Sequence, residues 1–362
     1  MKGKKTVIIF SEKERSITAT AVKQRILGIN PTVIVIIIDV MELRNRALVD
    51  FFSNLLSINI NAEKIDAQIK KRKAYRDIDS IPKNDLSMKS SSSYKNTENI
   101  ILRYTPDLVI TLGTGAISEI CAVRNKLKTS FKILSIIDDY VLNKNLIYEN
   151  VDAYLVENIG VKTDMVNCYV PENKIFIGDI PLMHEVVQNK LDKKITDAIS
   201  LESRLSTLLL VIPPNDKDEY KWQIEILEKY QKKYNILVFV YDNQDAILKC
   251  NQNGLRVFSD FSYLAFLYGV ADIVLACPYS VVVDPGFLLG KLVAISKPNN
   301  LLEKKIFQYL SDKTAHCEND QRLIYFLDKY PREEYERLRI AGKKDNPVDP
   351  DYFFKLFINW VF

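Results

Sequence analysis

Asp139 follows the apolar segment Phe131–Ile137. A carboxylate in that place either takes a proton from a substrate hydroxyl or caps the loop that follows it. Gly113 and Gly115 lie in TLGTGAISE, between an expected strand and an expected helix. A small glycine loop there either receives an anion on its N–H groups or lets strand and helix pack tightly. Ser280 stands at the start of an expected helix, Val281–Leu289, where it offers a hydroxyl and N–H groups to an anion or acts as a plain N-cap.

The rest of the inventory is thin. There are two histidines, His184 and His316, too few for a histidine zinc site or for much acid–base work. His184 falls near the expected domain crossing and reads as an interface residue. The five cysteines (Cys121, Cys168, Cys250, Cys277 and Cys317) are scattered, odd in number and without a CxxC pair. That pattern fits reduced thiols in a cytoplasm, not a disulfide framework or a metal site; no metal and no cofactor are expected. Glycine is scarce, at 11 of 362 residues, less than half of the usual ~7%. A chain that cradles phosphates with backbone N–H groups normally uses more.

The net charge of +4 is too small to argue for nucleic acid. The excess is local: residues 1–100 carry 18 Lys and Arg against 11 Asp and Glu. Much of it lies in residues 64–76, which include Lys70, Lys71, Arg72 and Lys73. Such a cluster favours anionic lipid head groups or forms a solvated helix face. Just before it, Leu48, Phe51, Phe52, Leu55 and Leu56 repeat at helical spacing, which suits packing on a sheet or an acceptor or membrane surface. The start, MKGKKTVIIF, is basic and then apolar, but charge returns at Glu12, too soon for a signal-peptide core. The longest aliphatic run, Val33–Ile38, is far short of the ~20 residues that span a bilayer. The expectation is a soluble, cytoplasmic protein, at most peripheral on the inner face of the membrane.

The elements that position these residues alternate. Strands are expected at Thr6–Phe10, Thr32–Ile38, Asp107–Leu112, Phe131–Ile137, Val151–Val156 and Lys174–Ile177, with helices at Ser16–Leu27, Ala116–Lys126 and Ile159–Tyr169. A second series begins at Leu208–Ile212 and runs through Ile236–Tyr241, Leu255–Phe258, Ile273–Ala276 and Leu292–Ile295. Repeated strand–helix units imply parallel sheets, hence two Rossmann-like domains facing a cleft, with sites at the carboxyl ends of the strands. The expected boundaries are 1–184 for the first domain, with a mobile loop at about 77–96, and 185–205 for a helical linker. The second domain takes 206–335. The segment 336–362 is expected to pack across the domains.

TPDLVITLGTG, ILSIIDDYVLNKNLIYENVDAYLVEN and VKTDMVNCYVPENKIFIGDIP resemble segments of the GT-B glycosyltransferases that make monogalactosyl- and glucosyl-diacylglycerol, relatives of the lipid II-forming transferase. Asp139, Val151, Asp152, Tyr154, Val156, Gly178 and Pro181 fall in register over Ser135–Pro181. The resemblance implies a GT-B fold and inverting transfer of a sugar from a nucleotide-sugar donor, a UDP-sugar, to a lipid-type acceptor. It places Asp139 as base. Ser280, Asp284 and Glu303 fall at the donor, where Asp284 and Glu303 hold ribose or sugar hydroxyls or are surface carboxylates. Ser16, Gly113, Gly115 and Asn143 fall in acceptor-side loops. Several family positions differ. The glycine-rich loop after the first strand is Ser11–Ile17 here, without glycine, and the family histidines fall on Ile17 and Asn143. The turn after the first strand of the second domain contains Pro213 and Pro214, which have no N–H for a phosphate. The alternative is therefore a catalytically inactive GT-B homologue that binds or regulates a protein partner.

Overall fold

In a computed structural model of the chain, describing residues 5–12, 15–40, 92–178, 199, 201–213, 219–241, 243–330, 332–342 and 352–361, the β-branched runs form two six-stranded sheets. The first contains β1 (Thr6–Ser11), β2 (Ile34–Asp39), β3 (Leu108–Leu112), β4 (Lys132–Ile137), β5 (Ala153–Val156) and β6 (Ile175–Ile177), in the order β2-β1-β3-β4-β5-β6. The second contains β7 (Ser206–Ile212), β8 (Tyr234–Val240), β9 (Arg256–Phe258), β10 (Ile273–Ala276), β11 (Leu292–Ser296) and β12 (Ala315–Cys317), in the order β12-β11-β10-β7-β8-β9. All their pairings are parallel. The chain divides into two units, Met1–Pro181 with Asp349–Phe362, and Leu182–Val348.

The central strands β1, β3, β4 and β5 are apolar on both faces because both faces are covered. Ile8, Phe10, Val109, Ile133, Tyr154 and Val156 join one core with Ile117, Ile120 and Val123 of α3 (Ile117–Leu127) and Tyr94 and Ile101 of α2 (Ser92–Tyr104). Val7, Ile9, Leu108, Ile110, Leu134, Ile136 and Leu155 point the other way. They meet Ala19, Val22 and Ile26 of α1 (Ser16–Ile29) and Phe353, Phe354, Phe357 and Ile358 near the end of the chain.

Register is pinned by one device used three times. An aspartate just before a strand donates its backbone N–H to the neighbouring strand and accepts an N–H on its carboxylate. Asp107 N donates to Thr6 O and Asp107 Oδ2 accepts from Thr6 N, each at 2.9 Å. Asp152 pairs in the same way with Ile133 (3.0 and 2.8 Å), and Asp272 with Thr207 (both 2.8 Å).

Three expectations shift. Residues 92–96, read as the end of a loop, open α2, because Tyr94, Thr97 and Ile101 are all buried on one helical face; the remainder of that loop lies outside the described residues. Leu201–Leu205, placed in a helical linker, is not helical. The edge strand β12 has no counterpart among the expected strands: it is three residues long with His316 in the middle, and it exists by pairing with β11. The amphipathic stretch 48–56 and the basic stretch 64–76, with Lys70, Lys71, Arg72 and Lys73, lie outside the described residues, as does His184. Among the described residues no helix is long and apolar enough to cross a membrane.

Candidate functional site

In the first sheet β2 and β3 flank β1, so the chain changes direction across the sheet between β1 and β3. Open α/β sheets bind ligands outside the carboxyl ends of strands at such a switch point. The carboxyl ends there deliver charge. Glu12 follows β1, Gly113 and Gly115 follow β3, and Asp138 and Asp139 follow β4. Arg15, immediately before α1, reaches across all three. Its Nε donates to Asp138 Oδ1 at 2.6 Å and its Nη2 to Asp139 Oδ2 at 2.8 Å, while Nη1 lies 3.6 Å from Glu12 Oε2. Arg15, Asp138 and Asp139 are buried. The planar guanidinium suits this because its donors leave in fixed, divergent directions. Glu12 is the more open carboxylate of the three.

The glycines of the expected loop have a specific neighbour. A Cβ on Gly113 (φ +84°) would stand 2.9 Å from the Glu12 carboxylate, and one on Gly115 would stand 2.8 Å from Glu12 Oε1. Asp139, Gly113 and Gly115 are therefore brought together around Arg15 and Glu12. Ser16 adjoins Arg15 as the first residue of α1, and its carbonyl accepts from Thr20 Oγ1. Asn143 caps a short turn instead: its side chain accepts from Asn145 N at 3.1 Å.

The second sheet changes direction between β7 and β10. Buried Pro213 follows β7, Tyr241 follows β8 with its N–H on Ile212 O, and Cys277 follows β10. Tyr268 donates its hydroxyl to Val282 O at 2.6 Å. Burial pushes the Tyr241 and Tyr268 phenols well up, helped by Cys277 beside them, so these groups are neutral. Ser280 is the first residue of α4 (Ser280–Leu288), with Tyr279 as the N-cap residue. Every residue of that helix is buried, Asp284 one turn on from Ser280 included. Glu303 lies in the first turn of α5 (Leu301–Tyr309). Its carboxylate accepts from Asn299 N and Asn300 Nδ2, both at 2.7 Å, and its N–H donates to Asn300 Oδ1 at 2.9 Å. This is a variant of the capping box with asparagine as the cap, in which the carboxylate takes the N–H of the residue before the cap and the cap's own amide. His316 packs on Phe307, and no cluster suited to a metal occurs among the described residues.

Glu12, Arg15 and Asp138 are the members of the first-unit cluster that the sequence reading did not single out. Their signal was the Glu-x-x-Arg spacing after the first strand and the doubled aspartate after the fourth, opposite charges on the two strands that flank β3.

No family model matches the sequence. Among curated proteins, the processive diacylglycerol beta-glucosyltransferase of Bacillus pumilus (strain SAFR-032) is 21% identical over 229 residues, which is 61% of this chain. The match spans 59% of that relative's length. Among solved structures, the UDP-GlcNAc 2-epimerase of Neisseria meningitidis bound to UDP-GlcNAc superposes with a TM-score of 0.64 at 14% identity, covering 99% of both chains. Acinetobacter baumannii MurG gives 0.53 at 10% identity, covering 98% of this chain and 99% of its own. Anabaena Alr3699/HepE in complex with UDP-glucose gives 0.53 at 9%, covering 93% of both. The fold is GT-B, built of two Rossmann-like domains, and the chain resembles GT-B glycosyltransferases.

Proposed function

We propose that this chain is a divergent GT-B glycosyltransferase that moves a sugar from a UDP-sugar to the hydroxyl of a lipid-type acceptor with inversion. The observation that carries the reading is the Arg15–Asp138–Asp139 cluster at the switch point of the first sheet. The resemblance to a diacylglycerol glucosyltransferase and to UDP-sugar-bound structures supports the donor and acceptor classes. In an inverting displacement the acceptor hydroxyl attacks the anomeric carbon opposite the leaving diphosphate and gives up its proton to a base. Asp139 is that base in this reading, oriented by Arg15. Acceptor contacts come from the first unit, around Ser16, Gly113, Gly115 and Asn143. Donor contacts come from the second, around Ser280, Asp284 and Glu303. The basic residues Lys70, Lys71, Arg72 and Lys73 hold the protein to an anionic membrane surface, which makes binding to anionic vesicles salt-sensitive.

A second reading, a non-catalytic homologue that serves a protein partner, is favoured by Glu303, whose carboxylate is engaged in the capping box of its own helix. One assay separates the two. The purified chain is incubated with radiolabelled UDP-glucose, UDP-galactose or UDP-GlcNAc and diacylglycerol vesicles, and binding of UDP is measured by calorimetry. Label in the lipid fraction supports transfer. UDP binding without transfer or epimerisation supports the second reading. Conversion of UDP-GlcNAc to its 2-epimer replaces both.

A further inference from the structure

The Gly113–Gly115 turn leads into α3, whose N-cap residue, Ala116, makes no side-chain cap bond. A turn with φ +84° and no Cβ in front of a helix N-terminus is a place where an anion is welcome. Here an anion from the chain itself is already present. The Glu12 carboxylate fills the volume that side chains on Gly113 and Gly115 would take, at 2.9 and 2.8 Å from their Cβ positions. Arg15 Nη1 stands 3.3 Å from the Gly113 Cβ position and 3.6 Å from Glu12 Oε2, so the carboxylate is flanked by a cation on one side and the turn on the other. Val40 closes the Gly115 side, its Cγ1 being 3.1 Å from the Cβ position there.

We infer that Glu12 sets acceptor specificity: its carboxylate occupies the anion position of the Gly113–Gly115 turn, so the first unit takes an uncharged hydroxyl acceptor and rejects one that carries a phosphate. The inference rests on the reading of the first unit as the acceptor side. Two effects act together. A phosphoryl group must displace the Glu12 side chain from the turn. If it approaches without displacing it, it meets a like charge at contact distance, and such a pair at about 4 Å weakens binding about fivefold in water and by more in a lower dielectric. A neutral polyol or the free hydroxyl of a diacylglycerol meets neither obstacle, and can donate a hydrogen bond to the same carboxylate.

The scarcity of glycine makes the test direct. Protein labelled with 15N only at glycine carries 11 labelled glycines, and the Gly115→Ala variant identifies the Gly115 signal. The full chain and its Glu12→Gln variant are titrated with sn-glycerol 3-phosphate and, separately, with glycerol. Gln keeps the size of the side chain and removes its charge. The expected result is that glycerol 3-phosphate moves the Gly115 signal in Glu12→Gln with a midpoint at least about fivefold lower than in the parent. Equal midpoints, or no response in either protein, overturn the inference. The transfer assay gives an independent arm: the parent should glycosylate diacylglycerol and leave phosphatidic acid untouched, and equal use of the two overturns the inference. Absence of transfer to any acceptor removes the glycosyltransferase reading, while the glycine titration still decides what Glu12 does.

Discussion

Arg15 Nη2 donates to Asp139 Oδ2 at 2.8 Å across 124 residues of sequence, joining the start of α1 to the end of β4. The same guanidinium holds Asp138 through Nε. Removing the cation strands two buried carboxylates, which typically costs about 3–5 kcal/mol. Arg15→Ala should therefore open the first unit locally. Hydrogen exchange of peptides from β1 and β4 should speed up strongly in that variant, while β7 and β8 stay protected. Unchanged exchange in β1 and β4 would show that the guanidinium holds nothing together.

Asp139→Asn keeps the shape of the side chain and removes the basic oxygen. It should abolish sugar transfer while leaving UDP-sugar affinity unchanged in calorimetry. Full transfer activity in this variant would remove Asp139 from the reaction.

Glu303 has two readings that one pair of variants separates. As a member of the cap it is only partly replaceable by glutamine, which can accept the N–H of Asn299 but not that of the Asn300 amide as well. Glu303→Gln should then unfold earlier than the parent, and Glu303→Ala earlier still, by about 0.5–2 kcal/mol. As a sugar ligand, the carboxylate accepts from donor hydroxyls, and Glu303→Gln should weaken UDP-sugar binding at unchanged stability. Urea unfolding together with calorimetry distinguishes the outcomes.

The aspartate clamps explain which parts of the sequence were readable. Asp107 and Asp152 lie within the segments that resemble the transferase family, and each accepts the N–H that starts the neighbouring strand. The alternation of strands and helices was legible for a similar reason, since a strand covered on both faces must be apolar throughout. The Arg15 cluster was not legible. Its members come from the ends of β1 and β4, and the contact between residues 15 and 139 leaves no local periodicity to detect. Glu12 and Arg15 also lie in the segment Ser11–Ile17, where the resemblance fails, whereas Asp139 lies where it holds. Gly113 and Gly115 were legible as a loop, but the side chain that fills it was not.

His316 gives a pH dependence whose sign is fixed by its surroundings. Burial on β12 lowers its pKa, opposed by Glu318 and reinforced by Arg322. Below the unfolded value of about 6.5 the unfolded chain takes up the proton more readily than the folded one. The contribution of His316 is thus fully favourable above that pH and is lost as pH falls below it towards the lowered folded value. The melting temperature of the parent should fall more steeply than that of His316→Phe between about pH 6.5 and 5. Parallel curves would place the imidazole in water.

The helix near the end of the chain, α6 (Tyr352–Val361), belongs to the first unit although the whole second unit precedes it in sequence. Phe353, Phe354, Phe357 and Ile358 are buried against the face of the first sheet formed by Val7, Ile9, Ile110 and Leu155, beside α1. Phe353 stacks on Phe357 with centroids 5.6 Å apart and tilts against Phe176 at 5.2 Å. Gly178 passes close to this cluster: a Cβ there would come 3.1 Å from Leu155 and 3.7 Å from Phe353. Phe354 is 1% exposed, and truncating such a buried ring costs about 3–5 kcal/mol in lost burial and cavity. Phe354→Ala should therefore destabilise the first unit by that amount in urea unfolding and leave hydrogen exchange of β7, β8 and β10 unchanged. Lys355→Ala, an exposed position on the same helix, should change stability by less than about 0.5 kcal/mol. Equal losses from the two substitutions would mean that the helix contributes no packing to the first sheet.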